Sequence, residues 1–191
     1  MTLTLPGFAN PVTDAQSCFR AVLTAMSQPG APQRITAELA APPPLGIAAA
    51  AVLLTLVDGD TTLHLPTPGA DAADWIRFHC GTDPTPNVAD AAFLFAETLP
   101  DLATLAQGSD EAPQESATLI LQVASLTAGA RFTLRGPGLQ TSAPLTVTGL
   151  PADFAARWAA NHAQFPRGVD LILCAGNTLL ALPRSLTIED A

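Results

Sequence analysis

Two amino acids are absent from this chain of 191 residues, which contains no lysine and no tyrosine. All eight basic side chains are therefore arginine. A nucleotide-binding P-loop needs a lysine to reach the phosphates, and a pyridoxal phosphate enzyme needs one to form its internal Schiff base. This sequence can perform neither chemistry, and it has no tyrosine to act as an acid or base.

Cysteine is scarce, and its spacing does not indicate a cluster. The chain has three cysteines, an odd number, and they form no CxxC pair. Disulfide frameworks and thiolate metal sites both require closer or paired cysteines. We therefore expect three reduced thiols in the core, at Cys18, Cys80 and Cys174.

Histidine is equally scarce, and the three histidines show neither HxH nor HExxH spacing. That spacing argues against a metal site, so we expect no metal. Structural or surface roles are the favoured interpretation for His64, His79 and His162. We would test His162 first for a ligand or catalytic role, because it shortly precedes the turn Phe165-Pro166-Arg167-Gly168.

Acidic residues outnumber basic ones. The formal net charge is −9, and the isoelectric point is near 4.4. Such a charge repels a phosphate backbone, so we predict that the chain does not bind nucleic acid. The amino terminus does not have the pattern of a signal peptide, and the longest apolar run, residues 45–57, is shorter than the roughly 20 residues that span a bilayer. We expect a cytoplasmic protein without a membrane segment.

The first half of the chain alternates between helical and extended patterns. Thr13 and Gln16 have the spacing of a capping box, and the helix that follows is expected to end at Pro29-Gly30. Its apolar face is predicted to consist of Phe19, Val22, Leu23 and Met26. A second helix, apolar on every side, precedes the Asp58-Gly59-Asp60 turn and is expected to be buried. A strand, a helix and another strand follow, at residues 62–65, 71–80 and 91–96.

From Ser116 onward the pattern becomes rich in β-strands. Three short runs separated by glycine and proline predict an antiparallel meander or an excursion from the sheet. A helix carrying Phe154 and Trp158 one turn apart is predicted next. Two strands joined by a Gly176-Asn177 turn follow, at residues 169–174 and 178–182. The whole pattern predicts a single α/β domain over residues 1–191, with a mixed sheet flanked by helices.

The candidate binding residues lie at the ends of apolar runs. Arg135 precedes Gly136 and Gly138, which we interpret first as a tight turn between strands, because glycine adopts φ values that other residues avoid. Alternatively, open backbone N–H groups beside Arg135 hold an anion, which a guanidinium group pairs with bidentately. Arg167 and Asp170 flank the start of a buried strand. An internal ion pair between them is the first interpretation, and contact with a ligand or partner is the alternative.

Several blocks of the sequence carry a family resemblance. They are GFANPVTDAQSCFRAVLTAMSQPG, WIRFHCG, ESATLILQV, LRGPGL and FPRGVDLILCAGNTLLALPR. Taken in order, they cover nearly the whole chain and resemble the PhnH family of subunits of bacterial carbon–phosphorus lyase. Asn10 stands where the family pattern has an aspartate, and Cys80 where it has a small polar residue. The resemblance therefore assigns no acid–base role to Asn10.

The resemblance implies a component of the machinery that uses alkylphosphonates as a phosphorus source. The core complex of that system couples a phosphonate to the ribose C1 of ATP, displaces adenine and forms a ribose 1-phosphonate 5-triphosphate. Later steps remove pyrophosphate and break the carbon–phosphorus bond in an iron–sulfur, S-adenosylmethionine-dependent subunit. The implied partners are a second copy of the chain, in a homodimer, and the G, I and J subunits. The implied fold is that of the pyridoxal-phosphate-dependent transferases without the cofactor site, and the absence of lysine agrees with that.

The sequence is compatible with two functions. The first is a subunit that has no complete active site and no cofactor, forms a dimer burying more than ~1,000 Å² and offers a further surface to other subunits. The alternative is a stand-alone enzyme or binding protein for a phosphonate or nucleotide phosphate, using Arg135, Arg167 and His162. The net charge of −9 opposes the capture of anions. Co-purification and calorimetry separate the two functions.

Overall fold

The computed structural model describes residues 5–65 and 70–191. The helices are α1 (Pro11–Ser27), α2 (Ile47–Leu56), α3 (Ala70–Cys80) and α4 (Phe154–His162). The strands are β1 (Gln33–Arg34), β2 (Leu63–His64), β3 (Phe93–Ala96), β4 (Thr118–Gln122), β5 (Ser125–Arg135), β6 (Ala143–Thr148), β7 (Asp170–Ala175), β8 (Thr178–Leu182) and β9 (Thr187–Asp190). Short 3₁₀ turns occur at Val88–Asp90, Leu102–Thr104 and Pro113–Glu115.

Six strands form a mixed sheet in the order β1-β8-β7-β4-β3-β2. Strands β2, β3, β4 and β7 run parallel, whereas β8 is antiparallel to β7 and β1 is antiparallel to β8. The β7–β8 hairpin turns at Gly176, whose φ of 56° lies in the left-handed region that glycine adopts without strain. The predicted mixed sheet flanked by helices, including its terminal hairpin, is confirmed.

A second, three-stranded antiparallel sheet has the order β6-β5-β9. The sequence pattern predicted an antiparallel meander or excursion beginning at Ser116. That prediction is wrong for the first run, because β4 pairs in parallel with β3 and β7 inside the large sheet. The excursion begins only with β5. Its partner β9 comes from the end of the chain and closes the small sheet.

The large sheet separates two hydrophobic cores, because successive residues of a strand point to opposite faces. Ile120 of β4 packs with the buried sides of α1, α2 and α3. Leu119 and Leu121 pack on the other face, against the small sheet and α4. Helix α2 is buried along residues 48–53, as predicted from its apolar sequence. No helix in the described residues is both long and apolar enough to cross a bilayer.

Helix α1 begins before the predicted capping box. Its N-cap is Asn10, and Pro11 occupies the first helical position, where a missing N–H costs nothing. The Asn10 backbone N–H donates to the Asp14 carboxylate at 2.9 Å, and the Thr13 hydroxyl donates to the Asn10 carbonyl. The predicted reciprocal bonds between Thr13 and Gln16 are therefore not formed.

The buried face of α1 also differs from the prediction. Cys18, Val22 and Ala25 face the core, whereas Phe19 and Leu23 are exposed. Helix α1 packs against α2, whose core-facing residues are mostly alanine. Small residues at the contact let two helices approach closely, and a phenylalanine would hold them apart. The larger apolar residues of α1 are therefore left on its outer side.

Candidate functional site

The segment that follows β8 contacts three of the six predicted site residues, namely Gly136, His162 and Asp170. Pro183 to Leu186 runs between the large sheet and β9, and Arg184 lies in its centre, largely buried. The Arg184 backbone N–H and Nε donate to Asp170 Oδ1 at 2.7 and 3.1 Å, and Nη2 donates to Oδ2 at 2.5 Å. Its Nη1 donates to the Pro113 carbonyl at 2.8 Å. This bidentate, charge-assisted contact fixes three chain segments together.

The predicted ion pair between Arg167 and Asp170 is wrong. Asp170 pairs with Arg184, and the Arg167 Nε lies 3.3 Å from an oxygen of the exposed Asp110 carboxylate. The two groups attract each other by charge alone, because the Arg167 Nε makes no hydrogen bond of normal geometry. The Arg167 Nη2 instead donates to Gln164 Oε1 at 3.0 Å. Arg167 therefore holds its own turn, whereas Asp170 holds the segment after β8.

His162, at the end of α4, reaches the same segment. Its Nδ1 lies 3.0 Å from the Arg184 carbonyl oxygen, and because a carbonyl only accepts, Nδ1 carries the proton. The other two histidines make the same kind of contact, His64 with the Thr85 carbonyl and His79 with the Leu5 carbonyl. A catalytic histidine is normally oriented by a carboxylate and bonded to a nucleophile. In the described residues the histidines support backbone instead.

Gly136 and Gly138 lie in a turn between β5 and β6, closed by a 3.2 Å bond from the Leu139 N–H to the Gly136 carbonyl. Both have positive φ, 138° and 85°. A Cβ on Gly138 would clash with the Ser27 carbonyl oxygen at the end of α1, and one on Gly136 would lie 3.1 Å from the Ser185 carbonyl oxygen. The turn thus packs between α1 and the segment after β8.

Arg135, which precedes this turn, is exposed. Its Nε lies 3.9 Å from a carboxylate oxygen of the equally exposed Glu189 on β9. Arg135 therefore lies beside a carboxylate, as Arg167 does, and each carboxylate offsets part of the positive charge that the stand-alone binding hypothesis needs.

A surface groove of about 430 Å³ opens over the Arg184–Asp170 pair. Its walls come from α1, the Pro113 turn, the cis Phe165-Pro166 turn and the segment after β8. Phe165 is 59% exposed, although it is a large apolar side chain. Exposed aromatic and proline side chains of this kind are typical of a contact surface. The lining residues are Met26, Pro113, Gln114, Phe165, Pro166, Asp170, Pro183, Arg184 and Ser185.

A second cavity of about 390 Å³ lies between α4 and the Leu102–Thr104 turn. Arg157 lines it, and its charge is offset by Asp153, whose carboxylate accepts from Nε at 2.9 Å. Asp101 also lines this cavity. A cavity with one neutralised cation and one further anion does not favour a phosphonate or phosphate ligand.

Open α/β sheets usually bind ligands at the carboxyl ends of their parallel strands. Here Gln122, the last residue of β4, occupies part of that edge. Its Oε1 accepts from the Gly46 N–H at 2.6 Å, and its Nε2 donates to the Pro44 carbonyl at 2.8 Å. The amide thus holds the amino terminus of α2 against the sheet. At the end of β4 this edge therefore serves packing.

The three cysteines are free and buried, at Cys18, Cys80 and Cys174. Burial raises the pKa of each thiol, that of Cys80 to about 11, and the nearby Asp58 charge contributes to the rise at Cys80. A raised pKa keeps the thiol protonated, and the protonated thiol is a poor nucleophile and metal ligand. In the described ranges no three histidine, cysteine or carboxylate side chains converge as a metal site would require.

Together, these features describe an α/β protein whose fixed polar groups support its own backbone beneath an exposed apolar groove. Comparison with known proteins identifies the family. A family model, "Bacterial phosphonate metabolism protein (PhnH)", matches residues 6–189. The chain therefore belongs to the PhnH family.

Two relatives have names that describe a role. The chain is 40% identical over 188 residues to the "Alpha-D-ribose 1-methylphosphonate 5-triphosphate synthase subunit PhnH" of Rhizobium meliloti (strain 1021), covering 95% of this chain and 94% of the relative. It is 34% identical over 179 residues to the "Putative C-P lyase subunit protein HtxG" of Stutzerimonas stutzeri, covering 91% of this chain and 85% of the relative.

Proposed function

We propose that this chain is a subunit of the synthase that forms alpha-D-ribose 1-methylphosphonate 5-triphosphate, and that it acts in organic phosphonate catabolism as part of a carbon–phosphorus lyase core complex. The observation that carries the proposal is the 40% identity to a subunit of that name over nearly the whole of both chains. The second relative, named as a carbon–phosphorus lyase subunit, supports the same role.

Within this complex the chain contributes a contact surface, and other subunits hold the reacting groups that join the phosphonate to the ribose of ATP. The bonding of the three histidines to backbone carbonyls supports this division of labour. So does the neutralisation of Arg184 by Asp170 beneath the groove. The partners we propose are a second copy of the chain and the G, I and J subunits, in the cytoplasm.

We also propose a relationship to the pyridoxal-phosphate-dependent transferase fold without the cofactor site. The mixed sheet with helices on its faces supports it, and the lack of any lysine explains why no internal aldimine could form. A structural superposition on such a transferase tests the relationship. Matching strand order and direction is the expected result.

Co-expression tests the proposed function directly. The tagged full-length chain is expressed with the other subunits of the synthase from the same organism and purified through its tag. The expected result is a stable complex that converts methylphosphonate and ATP to the ribose 1-phosphonate product, with no turnover by the chain alone. Failure of the wild-type chain to join those subunits would remove the proposal.

Calorimetry separates this function from the stand-alone alternative. The isolated chain is titrated with ATP, with methylphosphonate and with ribose phosphates. We expect no binding heat, because Arg135 and Arg167 each lie beside a carboxylate, and neither lines the groove or the cavity beside α4. Binding that is lost in both Arg135→Ala and Arg167→Ala would favour the alternative.

A further inference from the structure

Helix α1 carries two apolar stripes on different sides. The inner stripe, Cys18, Val22 and Ala25, is buried against the core. The outer stripe is rotated by about 100° from it, since a helix turns by that angle per residue. Its apolar members Val12, Phe19 and Leu23 are 84%, 46% and 52% exposed. About half or more of each of these side chains is left in water, and a partner that covered this surface would gain hydrophobic free energy.

The outer stripe has the spacing of a helix-pairing seam. With the exposed Gln16 and the half-buried Met26, its five positions recur after four and three residues alternately. That repeat lets side chains insert between those of a second helix over the whole length of α1, about 25 Å. The seam, defined as Val12, Gln16, Phe19, Leu23 and Met26, runs directly into the groove, because Met26 lines both. One continuous surface results.

A positive charge flanks the seam. Arg20 is exposed beside Phe19, and within the described part of the chain no carboxylate lies within ion-pair distance of it. The one acidic residue of α1, Asp14, accepts a hydrogen bond from the Asn10 N–H. In a chain with a net charge of −9, an unpaired arginine at the edge of an apolar seam fits a carboxylate on a partner.

A second copy of the chain that pairs through its own α1 does not supply that carboxylate. In an antiparallel two-fold pair, Arg20 lies near the middle of the seam and meets its own copy, which is repulsive. In a parallel pair the flanking position opposite Arg20 is Ala15, which carries no charge. Neither arrangement neutralises Arg20. The seam therefore fits a different chain better than it fits itself.

We propose that the seam on α1 docks an amphipathic helix of another subunit, with an aspartate or glutamate of that helix paired to Arg20. The inference rests on the proposed function, because it takes the occupant from the same complex. Apolar insertion along the seam gives affinity, and Arg20 sets the register and disfavours pairing of α1 with its own copy. The proposed homodimer then uses a surface other than this seam.

The test measures binding of full-length variants to the remaining synthase subunits, co-purified without this chain. Leu23→Asp is expected to weaken binding by about 30-fold, because it places a charge in the apolar contact. Val12→Asp should also weaken binding. Because an acidic residue in the first turn of a helix stabilises that helix, a loss of binding in this variant is not caused by unfolding. Arg20→Glu should weaken binding by about 10-fold, and Arg20→Gln should flatten its salt dependence. Phe78→Asp is the matched control, exposed and apolar but on α3, and should bind like wild type.

The outcomes distinguish failure of the seam inference from failure of the proposed function. Wild-type binding with no loss in Leu23→Asp and Val12→Asp would overturn the seam and leave the proposed function standing. Absence of wild-type binding would count against the function itself. A dimer of the isolated chain that becomes a monomer in Leu23→Asp, measured by sedimentation, would show that a second copy occupies the seam and would also overturn the inference.

Discussion

Arg184 makes three hydrogen bonds to the Asp170 carboxylate, two from its guanidinium group and one from its backbone N–H. Both side chains are about 15% exposed. A charge left behind in such a site has lost most of its water and has no partner. We therefore expect Arg184→Gln to lower the free energy of unfolding by about 2–4 kcal/mol. Chemical denaturation measures it.

The exposed Arg157–Asp153 pair provides the control. It joins residues one helical turn apart at 2.9 Å, but both side chains are in contact with water. Surface pairs of this kind contribute about 0.2–1 kcal/mol, so Arg157→Gln should cost less than ~1 kcal/mol. Equal losses in Arg157→Gln and Arg184→Gln would contradict the structural role given to Arg184.

The Arg184–Asp170 contact was not predicted from the sequence, although the strands beside it were. The hairpin of β7 and β8, with its Gly176-Asn177 turn, was predictable from the turn residues between two apolar runs. Extending its register, in which Leu171 faces Leu182, places Asp170 beside the segment that contains Arg184. The prediction paired Asp170 with Arg167 because these two residues are close in sequence. The pairing of β7 with β8 instead brings Asp170 to Arg184, which is 14 residues away in the sequence.

The outer seam could not be predicted for a different physical reason. Both stripes of α1 are apolar, so hydrophobic periodicity alone cannot tell which one faces the core. The choice depends on side-chain volume at the contact with the alanine-rich α2. By contrast, the burial of α2 and the position of α4 followed directly from the sequence, since one is apolar all round and the other carries aromatic residues one turn apart.

Gly138 provides a test of the packing between the β5–β6 turn and α1. Gly138→Ala combines a positive φ with a direct clash against the Ser27 carbonyl oxygen. Gly176 also has a positive φ, but a Cβ there meets nothing within 4 Å. Gly176→Ala should cost about 1–2 kcal/mol, the backbone strain alone, and Gly138→Ala should cost more. Thermal unfolding of both variants measures the difference, and equal melting temperatures would contradict the close approach of the turn to α1.

Asn161 pairs with the backbone of Val169 inside the core. Its Oδ1 accepts from the Val169 N–H at 2.8 Å, and its Nδ2 donates to the Val169 carbonyl at 2.9 Å. Asn161→Asp keeps the shape but turns the donor into an acceptor and buries a charge. We expect a loss of about 2–4 kcal/mol at neutral pH.

The pH dependence identifies the cause of that loss. A buried aspartate without a cation has a raised pKa, so it takes up a proton as the pH falls and can then donate to the carbonyl. The deficit of Asn161→Asp against wild type should therefore shrink at acidic pH. Asn10→Asp, an exposed N-cap change, should stay within about 0.5 kcal/mol of wild type at every pH. A deficit independent of pH would contradict the assigned hydrogen bonds.

The thiol of Cys80 predicts a loss of stability in alkali. Its folded pKa, raised to about 11, exceeds the reference value of 9.0 that applies to the unfolded chain. Between these pH values the unfolded chain loses the proton while the folded chain keeps it, so raising the pH favours unfolding. Below pH 9.0 the protonated thiol makes its full contribution to the free energy of unfolding. That contribution declines as the pH rises towards 11, by at most about 1.4 kcal/mol per pH unit for this group.

Denaturant titrations at pH 8 to 11 measure this decline, and Cys80→Ala should reduce its slope relative to wild type. The buried Cys18 and Cys174, whose pKa values are also raised, should leave part of the slope in place. A thiol-specific reagent provides an independent readout, because it reacts with the thiolate. It should label the native chain slowly at pH 8 and all three thiols after unfolding. Rapid labelling of Cys80 in the native chain would contradict both its burial and the predicted pH dependence.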